Sequence, residues 1–185
     1  MRERMAMRQG CGTASGARAI VVMGVSGSGK STLGARLAAE WHAPFLEGDA
    51  YHAAASVAKM RAGHPLTDAD RWPWLDRLGA ALGESARTNG VAVAACSALR
   101  RVYRDRLAQA ARLPLYFAFL DTERAEIARR MSTREGHYMP PCLLDSQLAT
   151  LERPTPDERA LTLDAGRPPE RLIRDLRAWL GETVA

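Results

Sequence analysis

Gly24-Val25-Ser26-Gly27-Ser28-Gly29-Lys30-Ser31 is the stretch of this sequence that decides the fold. It matches G-x-x-x-x-G-K-[ST], a loop whose glycines let backbone N–H groups approach the oxygens of a nucleotide phosphate. The apolar run at residues 19–23 before it is typical of a buried parallel strand, and residues 31–40 after it carry leucine and alanine at helical spacing. Strand, glycine loop and helix in this order predict a phosphate site at the end of the first strand.

The motif gives its polar residues distinct roles. Lys30 is expected to reach the β- and γ-phosphates as a catalytic point charge, and Ser31 is expected to offer its hydroxyl to Mg²⁺. The residues expected to bind the nucleotide are Gly24, Val25, Ser26, Gly27, Ser28, Gly29, Lys30, Ser31 and Thr32.

Length and composition predict one globular domain. The 185 residues are 46% hydrophobic and 25% charged, and we expect a flexible tail at residues 1–18 followed by a single domain at 19–185. No apolar stretch has the length of a membrane span, and the tail lacks the apolar core of a secretory signal. Three cysteines without metal-binding spacing predict free thiols in the cytoplasm: Cys11, Cys96 and Cys142.

The net charge of +5 is spread along the chain without a dense basic tract. This distribution favours a small anionic substrate over nucleic acid. Among the 26 basic residues only Lys30 and Lys59 are lysine. Lys59 is therefore a candidate for a site that needs a compact ammonium group, with a surface lysine as the alternative.

Hydrophobic periodicity alternates between strand and helix along the whole chain. This alternation predicts an α/β fold, a five-stranded parallel sheet with helices on both faces and ligands at the carboxyl ends of the strands. The predicted strands are residues 19–23, 45–47, 91–96, 115–120 and 160–163. The predicted helices are residues 31–40, 49–60, 72–89, 100–111, 122–133, 143–151 and 168–180, with a loop at 134–141.

Two carboxylates, Glu47 and Asp49, follow the second predicted strand. Glu47 is expected to hold Mg²⁺ directly or through water, and Asp49 to orient and deprotonate an attacking hydroxyl. The alternative is an exposed acidic turn that caps the next helix. The third strand, residues 91–96, contains no aspartate, which argues against most motor and transporter ATPases.

Three further segments narrow the family more than the widely shared phosphate loop does. They begin with Glu47-Gly48-Asp49-Ala50-Tyr51-His52, Ala95-Cys96-Ser97-Ala98-Leu99-Arg100 and Arg134-x-Gly136-His137-Tyr138-Met139-Pro140. Together with the block from Lys59 to Leu75, they closely resemble the gluconokinases of the small phosphate-loop type, over about residues 19–180. The resemblance implies a three-layer fold like that of nucleoside monophosphate kinases, with strand order 2-3-1-4-5 and a mobile lid at about residues 134–146. It also implies ATP-dependent phosphorylation of D-gluconate at its 6-hydroxyl by a homodimer.

Gluconate needs cations at its carboxylate and hydrogen-bonding groups along its hydroxyls. We expect substrate contacts from Asp49, His52, Lys59, Arg71, Ser97 and His137. Arg130 and Arg134, one helical turn apart, are expected on the ATP phosphates, with Arg134 catalytic. The alternatives are a salt bridge of Arg71 with Asp68 or Asp70, a surface position for His52, and a helix-capping role for Ser97.

Two other functions stay open at this stage. One is another small-molecule kinase of the same fold, such as a shikimate-type enzyme. The other is a nucleotide-regulated protein that binds nucleic acid through its arginines.

Overall fold

The structure is a computed structural model that describes residues 16–132 and 141–181. Five parallel strands form one sheet in the order β2-β3-β1-β4-β5. This order confirms the predicted topology. The strands are β1 (Arg18–Met23), β2 (Phe45–Glu47), β3 (Val91–Cys96), β4 (Leu115–Asp121) and β5 (Ala160–Asp164).

Helices cover both faces of the sheet and give three layers. They are α1 (Lys30–Glu40), α2 (Ala54–Arg61), α3 (Asp68–Asn89), α4 (Arg101–Ala111), α5 (Arg124–Ser132), α6 (Pro141–Thr150) and α7 (Pro169–Trp179). Side chains of β1 alternate between the two faces: Val21 and Met23 join the apolar core under α3 and α4, whereas Ile20 and Val22 join the core under α1 and α7. All four are fully buried, so β1 is a central strand, as its continuous apolar run predicts.

The helix predicted over residues 49–60 is confirmed for residues 54–60 and wrong for its start. A short 3-10 helix (Gly48–Tyr51) comes first, His52 and Ala53 are extended, and α2 begins only at Ala54. The Trp74 indole donates to the Gly48 carbonyl at 2.7 Å, and the His52 ring stacks on Trp74 at 4.1 Å. These contacts with α3 hold residues 48–52 across the end of the sheet. A continuous helix would direct these residues away from it.

The start of α3 is four residues earlier than the predicted residue 72. The Thr67 side chain accepts from the Asp70 amide, and the Asp70 carboxylate accepts from the Thr67 amide, which is a capping box. Pro73 lies in the second turn of this helix. The other predicted helices agree with α1 and α4–α7 to within two residues.

Several predictions concern residues outside the described ranges. Most of the predicted tail and residues 134–140 of the predicted lid, including Arg134 and His137, belong to this group, while residues 141–146 form the first part of α6. Within residues 16–132 and 141–181, no helix combines the length and the apolar composition that crossing a membrane requires.

Candidate active site

The glycine loop lies between β1 and α1 and has the backbone shape that its glycines predict. Gly24, Gly27 and Gly29 have φ values of +144°, +79° and +100°, which side chains disfavour. A Cβ on Gly24 would also lie 3.0 Å from the Leu120 carbonyl oxygen. Because α1 begins at Lys30, the loop presents the positive end of a helix dipole to a bound anion.

The loop separates two cavities. The first contains Ser26 and Lys30 of the loop, and the second contains Gly27, Ser28 and Gly29. The described linings of the two cavities share no residue. The rest of the first lining includes Asp49, His52, Met60, Pro65, Leu66, Arg71, Trp74, Ser97, Leu99, Tyr103, Ser146, Gln147 and Thr150. The rest of the second includes Thr32, Leu33, Leu120, Arg130, Ala165, Arg167, Pro169 and Leu172.

Three predicted charged residues meet at the carboxyl end of β3. Burial raises the pKa of the Cys96 thiol to about 12, and the charges of Asp49, Lys30 and Glu47 also act on this thiol. The Gly24 amide donates to the Ser97 carbonyl at 3.3 Å, which joins the glycine loop to the same point. Asp49 shares the first cavity with Ser26 and Lys30 of the phosphate loop, and Glu47 ends β2 at the same edge of the sheet.

Gly48 makes this close arrangement possible. A Cβ at Gly48 would lie 2.2 Å from the Ala95 carbonyl oxygen, well inside the closest real contacts. The 3-10 helix that carries Asp49 can therefore pack directly on β3 only because residue 48 has no side chain.

Arg71 lies in the first cavity with its side chain 20% exposed. Its Nη1 donates to the Tyr103 hydroxyl at 3.2 Å, and its guanidinium lies 5.3 Å from the centre of the Tyr103 ring. The alternative salt bridge with Asp68 is present at 3.6 Å, which is longer than a hydrogen bond. Arg71 thus lines the cavity with its guanidinium held by Tyr103 and attracted by Asp68.

Lys59 is not brought to the cavity. Its Nζ donates to the Asp70 carboxylate at 2.6 Å, and it is absent from the lining of the first cavity. The ammonium and Thr67 together hold the pKa of Asp70 well below its usual range. Lys59 therefore fastens α2 to the start of α3.

His52 lines the first cavity and is not a surface histidine. Its Nδ1 is buried and has no hydrogen-bond partner among the described residues. Burial lowers the pKa of His52, Arg71 and Arg77 lower it further, and the negative charge of Asp49 opposes them. A neutral imidazole with an unpaired nitrogen can exchange hydrogen bonds with a hydroxyl group.

Arg130 bridges the phosphate loop and the segment after β5. It donates to the Ser28 carbonyl at 3.1 Å and to the Ala165 carbonyl at 2.7 Å, and it pairs with Glu126 at 2.6 Å. Its guanidinium lines the second cavity, whose other walls include Leu33, Leu120 and Leu172. Apolar walls next to phosphate-binding backbone suit the base and ribose of a nucleotide.

The residues predicted for Mg²⁺ suit a lightly held ion. Ser31 is the second residue of α1 and Glu47 is the last residue of β2; both are half-buried, and neither is among the described residues that line the two cavities. Among the described residues, no group of three or more His, Cys, Asp or Glu side chains could enclose a metal ion. Mg²⁺ usually keeps several waters and takes phosphate oxygens with only one or two protein ligands, so this donor set fits it.

Sequence reasoning gives no site role to Tyr103, Gln147 or Trp74, although all three line the first cavity. Thr150 lies four positions after Ser146 and three after Gln147 on α6, so the three residues form one polar face toward the cavity. That spacing is the signal by which the sequence could have identified Gln147. Tyr103 gives no comparable signal, because its position depends on how α4 packs against α3.

Known proteins resemble this chain over most of its length. A family model described as an AAA domain matches residues 20–154. A gluconokinase from Gluconobacter oxydans is 47% identical over 161 residues, which are 86% of this chain and 89% of that protein. The chain belongs to the gluconokinase family. This membership confirms the resemblance seen in the sequence and the kinase class that it implies.

Solved structures of gluconokinase-like proteins share the fold. A sugar kinase from a Janibacter species is 47% identical with a TM-score of 0.83, over 89% of this chain and 95% of that one. A gluconokinase from Sinorhizobium meliloti is 44% identical with a TM-score of 0.79, over 89% and 92% of the two chains. The sheet order and the helices on both faces are therefore those of a phosphate-loop kinase.

Proposed function

We propose that this chain transfers the terminal phosphoryl group of ATP to the 6-hydroxyl of D-gluconate, giving 6-phospho-D-gluconate and ADP. The observation that carries the proposal is the lining of the first cavity. It combines Lys30 of the phosphate loop, the carboxylate of Asp49 and the guanidinium of Arg71. A phosphoryl donor site, a base and an anion anchor thus border one space. Family membership at 47% identity supports the same activity.

Arg71 is proposed to bind the gluconate carboxylate. Its planar guanidinium suits a carboxylate, and Tyr103 and Asp68 already fix its orientation. His52 and Ser97 are proposed to hydrogen-bond the hydroxyls between the two ends of the substrate. The sugar acid then extends from Arg71 toward Lys30, with its terminal alcohol next to the phosphate loop.

Asp49 is proposed to accept the proton of the 6-hydroxyl as this oxygen forms its bond to the γ-phosphorus. The bond between that phosphorus and the bridging oxygen breaks, and ADP leaves with the electron pair. Lys30 and the backbone N–H groups of the loop stabilise the charge on the phosphate oxygens, which is the main contribution in this type of transfer. Positioning matters more here than a strong base.

Mg²⁺ is proposed to neutralise the phosphates when bound, with Ser31 and, directly or through water, Glu47 as its protein ligands. Arg130 is proposed to contact the nucleotide from the second cavity. Arg134 and His137 remain predicted for ATP and substrate, as do the homodimer and the cytoplasmic location. Lys59 is proposed to act only indirectly, through Asp70 and the start of α3.

An ADP-coupled assay across gluconate, related sugar acids, glucose and shikimate tests the proposal. Gluconate is expected to give the highest kcat/KM, and Lys30→Ala is expected to abolish turnover nearly completely. Arg71→Met should raise the KM for gluconate at least about tenfold, because a charge-assisted contact is lost. The matched control is Arg171→Met on the exposed face of α7, which should change nothing. Turnover of glucose or shikimate without turnover of gluconate would overturn the assignment.

A further inference from the structure

Gln147 of α6 contacts the phosphate loop directly. Its Oε1 accepts a hydrogen bond from the Ser26 backbone N–H at 2.7 Å, across a sequence separation of 121 residues. Both residues line the first cavity, together with Lys30 and Asp49. A side-chain amide from the acceptor side therefore binds one of the loop's own backbone donors.

The position of Ser26 indicates which phosphate of a nucleotide its backbone N–H would bind. Gly27, Ser28 and Gly29 line the second cavity, where the nucleoside fits, whereas Ser26 and Lys30 line the first. The terminal phosphate of a triphosphate must lie between the nucleoside and the acceptor, because it passes from one to the other. The Ser26 N–H is thus the loop donor on the acceptor side, where the terminal phosphate of a triphosphate must lie.

The backbone around this hydrogen bond is held by apolar packing. Val25, next to Ser26, and Leu144, one turn before Gln147, belong to one small buried cluster that also contains Leu99 and Ile127. The cluster holds the backbone of α6 against the loop, and Gln147 reaches Ser26 through a side chain with several rotatable bonds. A competing acceptor at Ser26 would therefore displace the amide oxygen without moving the helix.

We propose that Gln147 holds the terminal-phosphate position of the loop and distinguishes ATP from ADP. The γ-phosphate competes with Oε1 of Gln147 for the Ser26 N–H, and the displaced amide turns toward the acceptor cavity that Gln147 already lines. Gln147 is in this sense a positioning residue that couples the arrival of a triphosphate to the acceptor site. The inference rests on the proposed use of ATP, but not on the identity of the acceptor.

Nucleotide binding by two Gln147 variants tests this coupling. Dissociation constants of ADP and of a non-hydrolysable imido analogue of ATP are measured by calorimetry on the full chain. Gln147→Glu places a negative charge next to the γ-phosphate, so the analogue should bind at least about tenfold more weakly while ADP changes by less than about twofold. Gln147→Leu removes the competing acceptor, so the analogue should bind about two- to tenfold more tightly, again without a change for ADP.

Gln109→Glu is the matched control, because Gln109 is exposed on α4 away from both cavities. It should leave both constants unchanged. If ADP and the analogue shift by equal factors in both variants, or if neither constant shifts, the inference is overturned. If Gln147→Glu does not melt cooperatively, the inference is judged on Gln147→Leu alone, from the ratio of its dissociation constants for ADP and for the ATP analogue. If the unmodified chain binds neither nucleotide, the proposed function fails instead, and the two failures are distinguishable.

Discussion

Arg104→Leu is expected to be the most destabilising single substitution on α4. The Arg104 side chain is 1% exposed, and its Nε and Nη2 donate to the two carboxylate oxygens of Glu158, which is 7% exposed. Its Nη1 donates to the carbonyls of Ala98 and Glu152, both at 3.1 Å. The guanidinium therefore joins the end of β3, α4 and the segment before β5.

The structure sets the size of the effect. Removal of one partner of a buried ion pair leaves an uncompensated charge and costs about 3–5 kcal/mol. For a chain of 185 residues, each kcal/mol lowers Tm by about 2–4 °C, so the expected loss is about 6–20 °C. Ala98, whose carbonyl accepts one of these hydrogen bonds, has a φ of +43°.

Thermal unfolding followed by circular dichroism measures the loss, and Arg106→Leu is the control. Arg106 lies on the same helix and makes the same two-pronged contact with Asp76, at 2.5 and 2.6 Å, but the two side chains are 43% and 42% exposed. Solvent screening should make this change small. Arg104→Met combined with Glu158→Leu should recover most of the lost stability. Equal Tm values for Arg104→Leu and Arg106→Leu would refute the reasoning.

Three further outcomes are expected. Asp49→Asn should lower kcat about 10²- to 10⁴-fold with little change in ATP binding by calorimetry, and a rate like that of the unmodified chain would remove Asp49 from the mechanism. Tyr103→Phe should raise the KM for gluconate about three- to tenfold at constant KM for ATP, because Arg71 loses a hydrogen-bond acceptor; equal changes in both constants would contradict this. The folded-state pKa of His52 lies below its ordinary value of 6.5, so below pH 6.5 the unfolded chain binds a proton that the folded chain does not. The chain should therefore lose stability as pH falls from 6.5 through that lowered pKa, and His52→Asn should lose less in urea titrations at pH 7.5 and 5.5; parallel losses would exclude His52 as the cause.

Local signals in the sequence were sufficient for most of the fold. The continuous apolar run of β3 lies between Gly90 and Ser97, and its predicted bounds match the observed strand. The start of the helix predicted over residues 49–60 was wrong because the local composition contains no sign of the contacts that Trp74 makes with Gly48 and His52. Such contacts depend on α3 and compete with the helical preference of the segment.

The sequence by itself determined the phosphate loop, because glycines with positive φ, the lysine and the following helix are all encoded within a few consecutive residues. It also brought Glu47 and Asp49 to the loop, since the carboxyl ends of parallel strands share one edge of a sheet. Only the tertiary structure decided between the cations Lys59 and Arg71. Asp70 holds the first on α3, whereas Tyr103 on α4 holds the second against the cavity. Only the tertiary structure joined Gln147 to Ser26, because a hydrogen bond across 121 residues depends on the packing of whole helices and has no local signal.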